Sequence, residues 1–516
     1  MGEGGASVAH GDRLSRPVFR FLAIALVLAF ALAPAAAQRG RGAGAPAAEA
    51  SASSSPGVLS LLPADSVTEH VLDAGGERLV FTAKAGTLSL YDQGGERSAA
   101  IFYTAYTLKD AAETRPITFA FNGGPGAASA YLHLGLVGPQ AIDFGAPRDG
   151  ANARLRDNPD TWLKFTDLVL IDPVGAGWSR AAKPDKAGEF YGVRADASAL
   201  AKAIALYLAQ QGRTAAPKYL LGESYGGFRA VKVARVLQQE QGIVASGMVM
   251  VSPFLEGGLH GSANRFALGA ALQFPSLAAA ELDRRGRFTP EALAAAERFA
   301  VTEYLTTLAG KPPEGEAGRA FYRRVAELSG LPLDVVERTR GFIRDAYVKH
   351  ARGERREVVS PYDAASAAPD PFPEAEGAEG GDHVLDGYLM ALGGTFAAYA
   401  RDQLGFKTEM TYTLLNREVS GKWDWGGGRS QASVARDLRE LLALNPGFRV
   451  LISHGRSDVV TPYGVSRYLL DHMPAIGGED RAQLKVYRGG HMFYLEPDAR
   501  AAFTADAGAF YRGAGL

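Results

Sequence analysis

The chain has no cysteine in 516 residues. That excludes disulfide bridges, a thiol nucleophile and a lipid anchor through cysteine, and leaves stability to the core alone. Charge of one sign is also missing. Lys+Arg number 55 and Asp+Glu 56, for a net charge of −1. No strong field is available to recruit nucleic acid or an anionic membrane, and neither is expected as a partner. A long hydrophobic run is absent from the N-terminal segment as well. Its apolar stretch, residues 21–33, falls short of the roughly 20 residues that span a bilayer.

What the N-terminus does carry has another meaning. Arg13, Arg16 and Arg20 precede the apolar stretch, and Pro34-Ala35-Ala36-Ala37 ends it with small residues. This pattern predicts a signal peptide over 1–37, cut after Ala37, and a periplasmic or secreted protein with no stable membrane anchor after cleavage. An uncleaved anchor is the competing reading. Residues 38–56 are rich in Ala, Gly, Ser and Arg with almost no large apolar side chains, so a disordered linker is expected over 38–64.

The rest is 47% hydrophobic over the whole sequence, enough for a sizeable core, and its length fits one large domain with an insertion or two domains. Residues 79–82, 86–91 and 99–107 read as antiparallel strands separated by Gly-containing breaks. Short apolar strands follow at 117–121, 168–171, 219–221, 248–251, 449–452 and 484–487. Helical segments at 195–211 and 228–239 lie between them, and one at 501–511 closes the chain. Strands alternating with helices predict an α/β fold with a mostly parallel central sheet covered on both faces. The rhythm stops at 257–407, too long for a loop, which predicts an inserted helical cap between core segments 65–256 and 408–516. Helices are expected there at 290–309 and 318–328, with a polar break over 367–382.

The chemistry-bearing signal is Gly222-Glu223-Ser224-Tyr225-Gly226-Gly227, between a predicted strand and a predicted helix. Strand, Gly-x-Ser-x-Gly and helix together form a nucleophile elbow, which lifts the serine above a sheet. In a chain with 62 glycines the bare pattern also arises by chance, so its context decides. Asp458 and His491 each follow a later predicted strand, in the order Ser, acid, His. His491 would take the proton of Ser224, and Asp458 would fix the imidazole tautomer. His454 competes as base, but it lies on the acid's own loop next to a turn glycine, which favours a structural role. The loop Asn122-Gly123-Gly124-Pro125-Gly126 stands where a hydrolase supplies its oxyanion hole, with Gly124 and Tyr225 as backbone donors. This chemistry needs no metal or organic cofactor.

Four blocks together resemble the serine carboxypeptidase family of the carboxypeptidase Y type. They are Asn122–Gly126, Asp172-Pro173-Val174-Gly175-Ala176-Gly177-Trp178-Ser179, Gly222–Gly227 and Gly489-Gly490-His491-Met492. The resemblance runs from about residue 65 to the C-terminus and is weak in the cap. It implies an α/β-hydrolase fold, the triad Ser224, Asp458 and His491, and oxyanion donors at Gly124 and Tyr225. It also implies that Asn122, Gly123 and Glu223 bind the terminal carboxylate of a peptide. Glu223 can donate to a carboxylate only when protonated, which predicts activity favoured at acid pH.

Four departures stand out. Ala120 replaces the family's Trp, and Ala127-Ala128-Ser129 replaces Cys-Ser-Ser. Leu136 stands where a second Glu is usual, and Gly455-Arg456-Ser457-Asp458 replaces Gly-Asp-x-Asp. The expected protein is therefore an exported serine carboxypeptidase acting on peptides. An esterase or acyltransferase on the same machinery, and a catalytically silent binding protein, are the alternatives.

Overall fold

A computed structural model describes residues 57–513 except 146–147 and 479–480. The expected signal peptide, its cleavage after Ala37 and most of the expected linker lie outside the described residues. Residues 57–64 of that linker are described. Val58–Leu61 form a 3-10 turn with Leu59 buried, and the Leu61 carbonyl accepts a 2.8 Å hydrogen bond from Thr408 Oγ1.

The central sheet contains β1 (Ser66–Asp73), β2 (Arg78–Tyr91), β3 (Arg97–Leu108), β4 (Ile117–Phe121), β5 (Asp167–Ile171), β6 (Lys218–Glu223), β7 (Gly247–Val251), β8 (Arg449–Gly455) and β9 (Ala482–Tyr487). Their spatial order is β1-β2-β3-β5-β4-β6-β7-β8-β9, with the two-residue strand Arg180–Ala181 paired to β3. The first three strands are antiparallel to one another, and β3 is antiparallel to β5. From β5 to β9 every pairing is parallel. Continuous apolar runs suit such strands because helices cover both faces, and all five residues of β4, β5 and β7 are buried.

Side chains alternate between two cores. Ala120, Leu168, Leu170, Leu221, Val249 and Leu451 join one cluster, which takes in Phe503 and Tyr511 of helix Pro497–Arg512. Phe119, Val169, Leu220, Met248, Val450 and Ile452 join the other, with helices Val193–Gln210, Tyr225–Glu240 and Ala435–Leu444. The period of two along each strand produces this division.

Two strand boundaries differ from the sequence reading. β2 runs unbroken through Gly86, because a side chain there would sit 2.2 Å from Asp65 Oδ1; the glycine admits Asp65 to the strand instead of ending it. β1 was not expected. It pairs with β2 at the sheet edge, and its residues alternate between exposed and partly buried up to Val71 and Leu72, so it offers no apolar run to read.

Between β7 and β8 the chain forms helices Ala267–Arg284, Pro290–Phe299, Gly315–Ser329, Leu333–Arg338 and Arg344–His350, then the hairpin Glu357–Val359/Ala367–Pro369. Phe274, Tyr304, Phe321, Val336 and Tyr347 give this cap its own apolar core. Residues 385–406 behave differently. Leu389, Phe396, Tyr399 and Phe406 are buried with Phe102 and Trp178 against the sheet, although the sequence reading groups them with the cap.

Candidate active site

The parallel strands end at one edge, and every predicted site residue lies at that edge, on a strand end, a loop leaving it or the helix start that follows. Open α/β sheets place their reacting groups at this edge. Ser224 follows β6 and holds φ +59°, ψ −125°, a backbone conformation rarely adopted outside glycine. Three hydrogen bonds maintain it. Its N–H donates to Val251 O at 2.9 Å, and its carbonyl accepts from Gly227 N and Phe254 N at 3.0 Å each. The flanking glycines are required by contact. A Cβ at Gly222 would meet Gly226 O at 1.9 Å, and one at Gly226 would meet Phe121 O at 2.5 Å.

The predicted acid and base come from the ends of β8 and β9. His491 Nδ1 lies 2.8 Å from Asp458 Oδ2, and both side chains are buried. Asp458 Oδ1 also accepts the N–H groups of Val460 and Thr461 at 2.9 and 3.0 Å. Burial opposes the Asp458 charge, but the His491 ring and these hydrogen bonds outweigh it and hold the carboxyl below its usual range. Burial likewise opposes an imidazolium at His491, while Asp458 and then Glu223 outweigh it and raise its pKa. With Nδ1 engaged by the acid, Nε2 is the nitrogen left for a proton from Ser224. Ser224 and His491 line the same cleft, with Asn122, Gly123, Gly124 and Glu223.

His454, the competing base, is turned away from this pairing. Its Nε2 lies 2.8 Å from Ser466 Oγ of helix Tyr463–Asp471, and the ring is fully buried.

The Asn122 loop packs directly on the elbow. A Cβ at Gly123 would meet Tyr225 N at 2.5 Å and Glu223 O at 2.7 Å, so only glycine permits this approach. Tyr225 opens helix Tyr225–Glu240, and its N–H is one of the first-turn donors that no intrahelical carbonyl can satisfy. Gly124 turns at φ +97° in the facing loop. Asn122 Nδ2 donates to Glu223 Oε2 at 2.6 Å. Burial raises the Glu223 pKa most, and His491, Tyr494 and Asn122 only partly offset it.

Several contributors were not read from the sequence. Tyr494 Oη donates to Glu223 Oε2 at 2.8 Å. Thr461 Oγ1 lies 2.7 Å from Asp458 Oδ2 and 3.0 Å from His491 Nδ1. Tyr362, from beyond the cap hairpin's first strand, accepts the His491 N–H at 2.6 Å and sets its ring edge-on to the imidazole at 5.3 Å. Asp386 and Arg417 stand exposed at the cleft wall. Thr461 and Tyr494 each sit three residues after a predicted triad member, and that spacing is the one local signal for them.

Comparison with known proteins agrees with this geometry. The model of the family described as serine carboxypeptidase matches residues 77–247, which include the Asn122 loop and the elbow. Serine carboxypeptidase-like 41 of Arabidopsis thaliana is 34% identical over 110 residues, covering 20% of this chain and 21% of that protein. Pheromone-processing carboxypeptidase kex1 of Sclerotinia sclerotiorum is 31% identical over 86 residues, 16% of this chain and 13% of that protein. The alignments thus span about a fifth or less of these relatives' lengths. The crystal structure of Kex1(Δ)p, a prohormone-processing carboxypeptidase from Saccharomyces cerevisiae, superposes with a TM-score of 0.55 at 13% identity, over 84% of this chain and 91% of that one, a likeness of fold. With its sheet order, its elbow and these matches, the chain has an α/β-hydrolase fold, and its residues 77–247 are similar to the serine carboxypeptidase family.

Proposed function

We propose that this protein is an exported serine carboxypeptidase that removes C-terminal residues from peptides. His491 accepts the Ser224 hydroxyl proton as the oxygen attacks the last peptide carbonyl, and the N–H groups of Gly124 and Tyr225 receive the oxyanion. His491 then passes the proton to the departing amino acid, and water cleaves the acyl-enzyme by the reverse sequence of transfers. The charged Asp458 carboxylate stabilises the imidazolium at both steps.

One observation carries the substrate assignment: the Asn122–Glu223 hydrogen bond at 2.6 Å, buried beside the nucleophile. A carboxylic acid in that place can donate to a peptide's terminal carboxylate only while protonated. Burial raises its pKa, so the peptide-binding form extends to higher pH than an exposed Glu would allow and is lost as pH rises further. Activity on peptides is therefore favoured at acid pH. The N-terminal pattern of residues 1–37 supports export.

Replacing Glu223 by Ala is expected to reduce kcat/KM for peptides by at least about 100-fold and for a small neutral ester by less than about tenfold, since only the peptide presents a terminal carboxylate. Equal losses on both substrates would make Glu223 structural and favour the esterase or acyltransferase reading. A fluorophosphonate probe should label the wild type and not Ser224→Ala. An unlabelled wild type would instead identify a silent binding protein.

A further inference from the structure

The two oxygens of Glu223 are not equivalent. Oε2 accepts both donors, Asn122 Nδ2 at 2.6 Å and Tyr494 Oη at 2.8 Å. The amide cannot be reversed, because Asn122 Oδ1 already accepts the Leu132 N–H at 3.1 Å. In the protonated acid, the oxygen that receives both donors is the carbonyl oxygen, so the proton of that form belongs on Oε1.

Tyr494 is held in place as firmly as the amide. It is buried, and its ring lies on Gly135, where a Cβ would come within 2.6 Å of ring carbon Cε2. Gly135 and Leu136 belong to the buried turn His133–Val137 behind the carboxylate site. Apolar side chains fill the rest of this turn around His133. The group that reaches Glu223 from that side is therefore the phenol, and among the described residues no second carboxyl hydrogen-bonds to Glu223.

We propose that Tyr494 is a positioning residue that keeps the Glu223 proton on Oε1, the oxygen left to donate to the terminal carboxylate of a peptide. The proposal rests on the carboxypeptidase reading. Its consequence is a single ionisation controlling peptide binding at this position. Two coupled carboxyls would titrate as a pair and spread the transition, whereas burial lifts the Tyr494 phenol well above its usual value and keeps it a donor throughout. The other groups that face Glu223 are Asn122 and Tyr131 from the loop after β4, Asp458 after β8 and His491 after β9. Of these, His491 favours the ionised acid and Asp458 the neutral one.

The test is the pH profile of kcat/KM for a peptide in wild type and Tyr494→Phe, with thermal unfolding confirming that the variant is folded. Phe keeps the ring on Gly135 and removes only the donor. Without a donor that favours the ionised form, Glu223 keeps its proton to higher pH, so the alkaline limb is expected to move up by about one pH unit. In the acid plateau KM is expected to rise several-fold, because the acid can rotate. In a Glu223→Gln background, where position 223 cannot ionise, Tyr494→Phe should leave the shape of the profile unchanged. An alkaline limb that stays in place or moves down in Tyr494→Phe overturns the proposal and leaves Tyr494 a packing residue. A wild type that cleaves no peptide overturns the carboxypeptidase reading, and this proposal falls with it.

Discussion

At the scale of the residue, this site is built from what certain side chains leave empty. Gly123 has backbone atoms of Tyr225, Glu223 and Gly226 within 2.8 Å of its missing Cβ. None of them is the end of a flexible side chain, so the clash cannot be relieved by a rotamer change. Gly123→Ala is expected to cost about 1–3 kcal/mol in thermal or denaturant unfolding, as overpacking does. It should also slow probe labelling of Ser224 at least about tenfold, because the oxyanion donors on either side must move apart. Unchanged labelling would mean that the loop has slack. These glycines are legible in the sequence, since the motif states them outright. Tyr494 is not, because it meets a residue 271 positions away. Only the register of β6 against distant loops makes them neighbours.

At the scale of the element, the parallel strands deliver one residue each to the same edge, and Ser252 shows how the ends are tied. It follows β7, and its N–H donates to Ser453 O at 2.7 Å on the β8 side. Its hydroxyl donates to His491 O at 2.7 Å, and its carbonyl lies 2.9 Å from Thr461 Oγ1. One residue thus joins the base loop and the acid loop to the strand beside the elbow. Ser252→Ala leaves the His491 carbonyl without that buried donor, an expected cost of about 1–3 kcal/mol. The His491 ring should lose its alignment, lowering kcat about tenfold for ester and peptide alike with little change in KM. A change confined to KM would argue against this link. Strand positions in the core were readable because a strand buried on both faces must be continuously apolar. β1 was not readable, because an edge strand has no such requirement. The cap's last segment shows the complementary limit. Residues 385–406 have helical composition whichever layer they join, and their burial against Phe102 and Trp178 is a tertiary choice.

At the scale of the whole molecule, acid favours the proposed chemistry and opposes the fold. His133, His260 and His454 are fully enclosed, and burial first of all lowers their pKa values from 6.5 to about 3, about 3 and about 4. A group whose folded pKa is depressed binds more protons when unfolded. The stability these histidines contribute is therefore full above pH 6.5 and is lost as pH falls toward 3–4. Each removes about 1.4 kcal/mol per pH unit across that window. Asp172 works in the opposite direction, since burial raises it to about 6 and its neutral form stabilises the fold as pH drops from there toward 3.8. Burial raises Asp196, Glu223 and Asp382 in the same sense as Asp172, and the histidines are expected to dominate between pH 7 and pH 5. The thermal midpoint is expected to be highest near neutral pH and to fall measurably between pH 7 and pH 5. A midpoint that held steady or rose would show that these histidines are solvated. The acid side of the activity profile is then bounded by unfolding as well as by chemistry.

By itself the sequence determined the layered α/β plan and pointed to the proposed nucleophile and the order of the proposed triad. Each rests on local constraints: a turn that admits only glycine, a loop that must follow a strand, a run that must be apolar to be buried. Tertiary structure alone decided which donors surround Glu223, that His454 serves a helix and not the nucleophile, and that Tyr362 reaches the base from beyond the cap hairpin's first strand. Those contacts join residues far apart in the chain, and no local preference specifies a meeting that packing alone brings about.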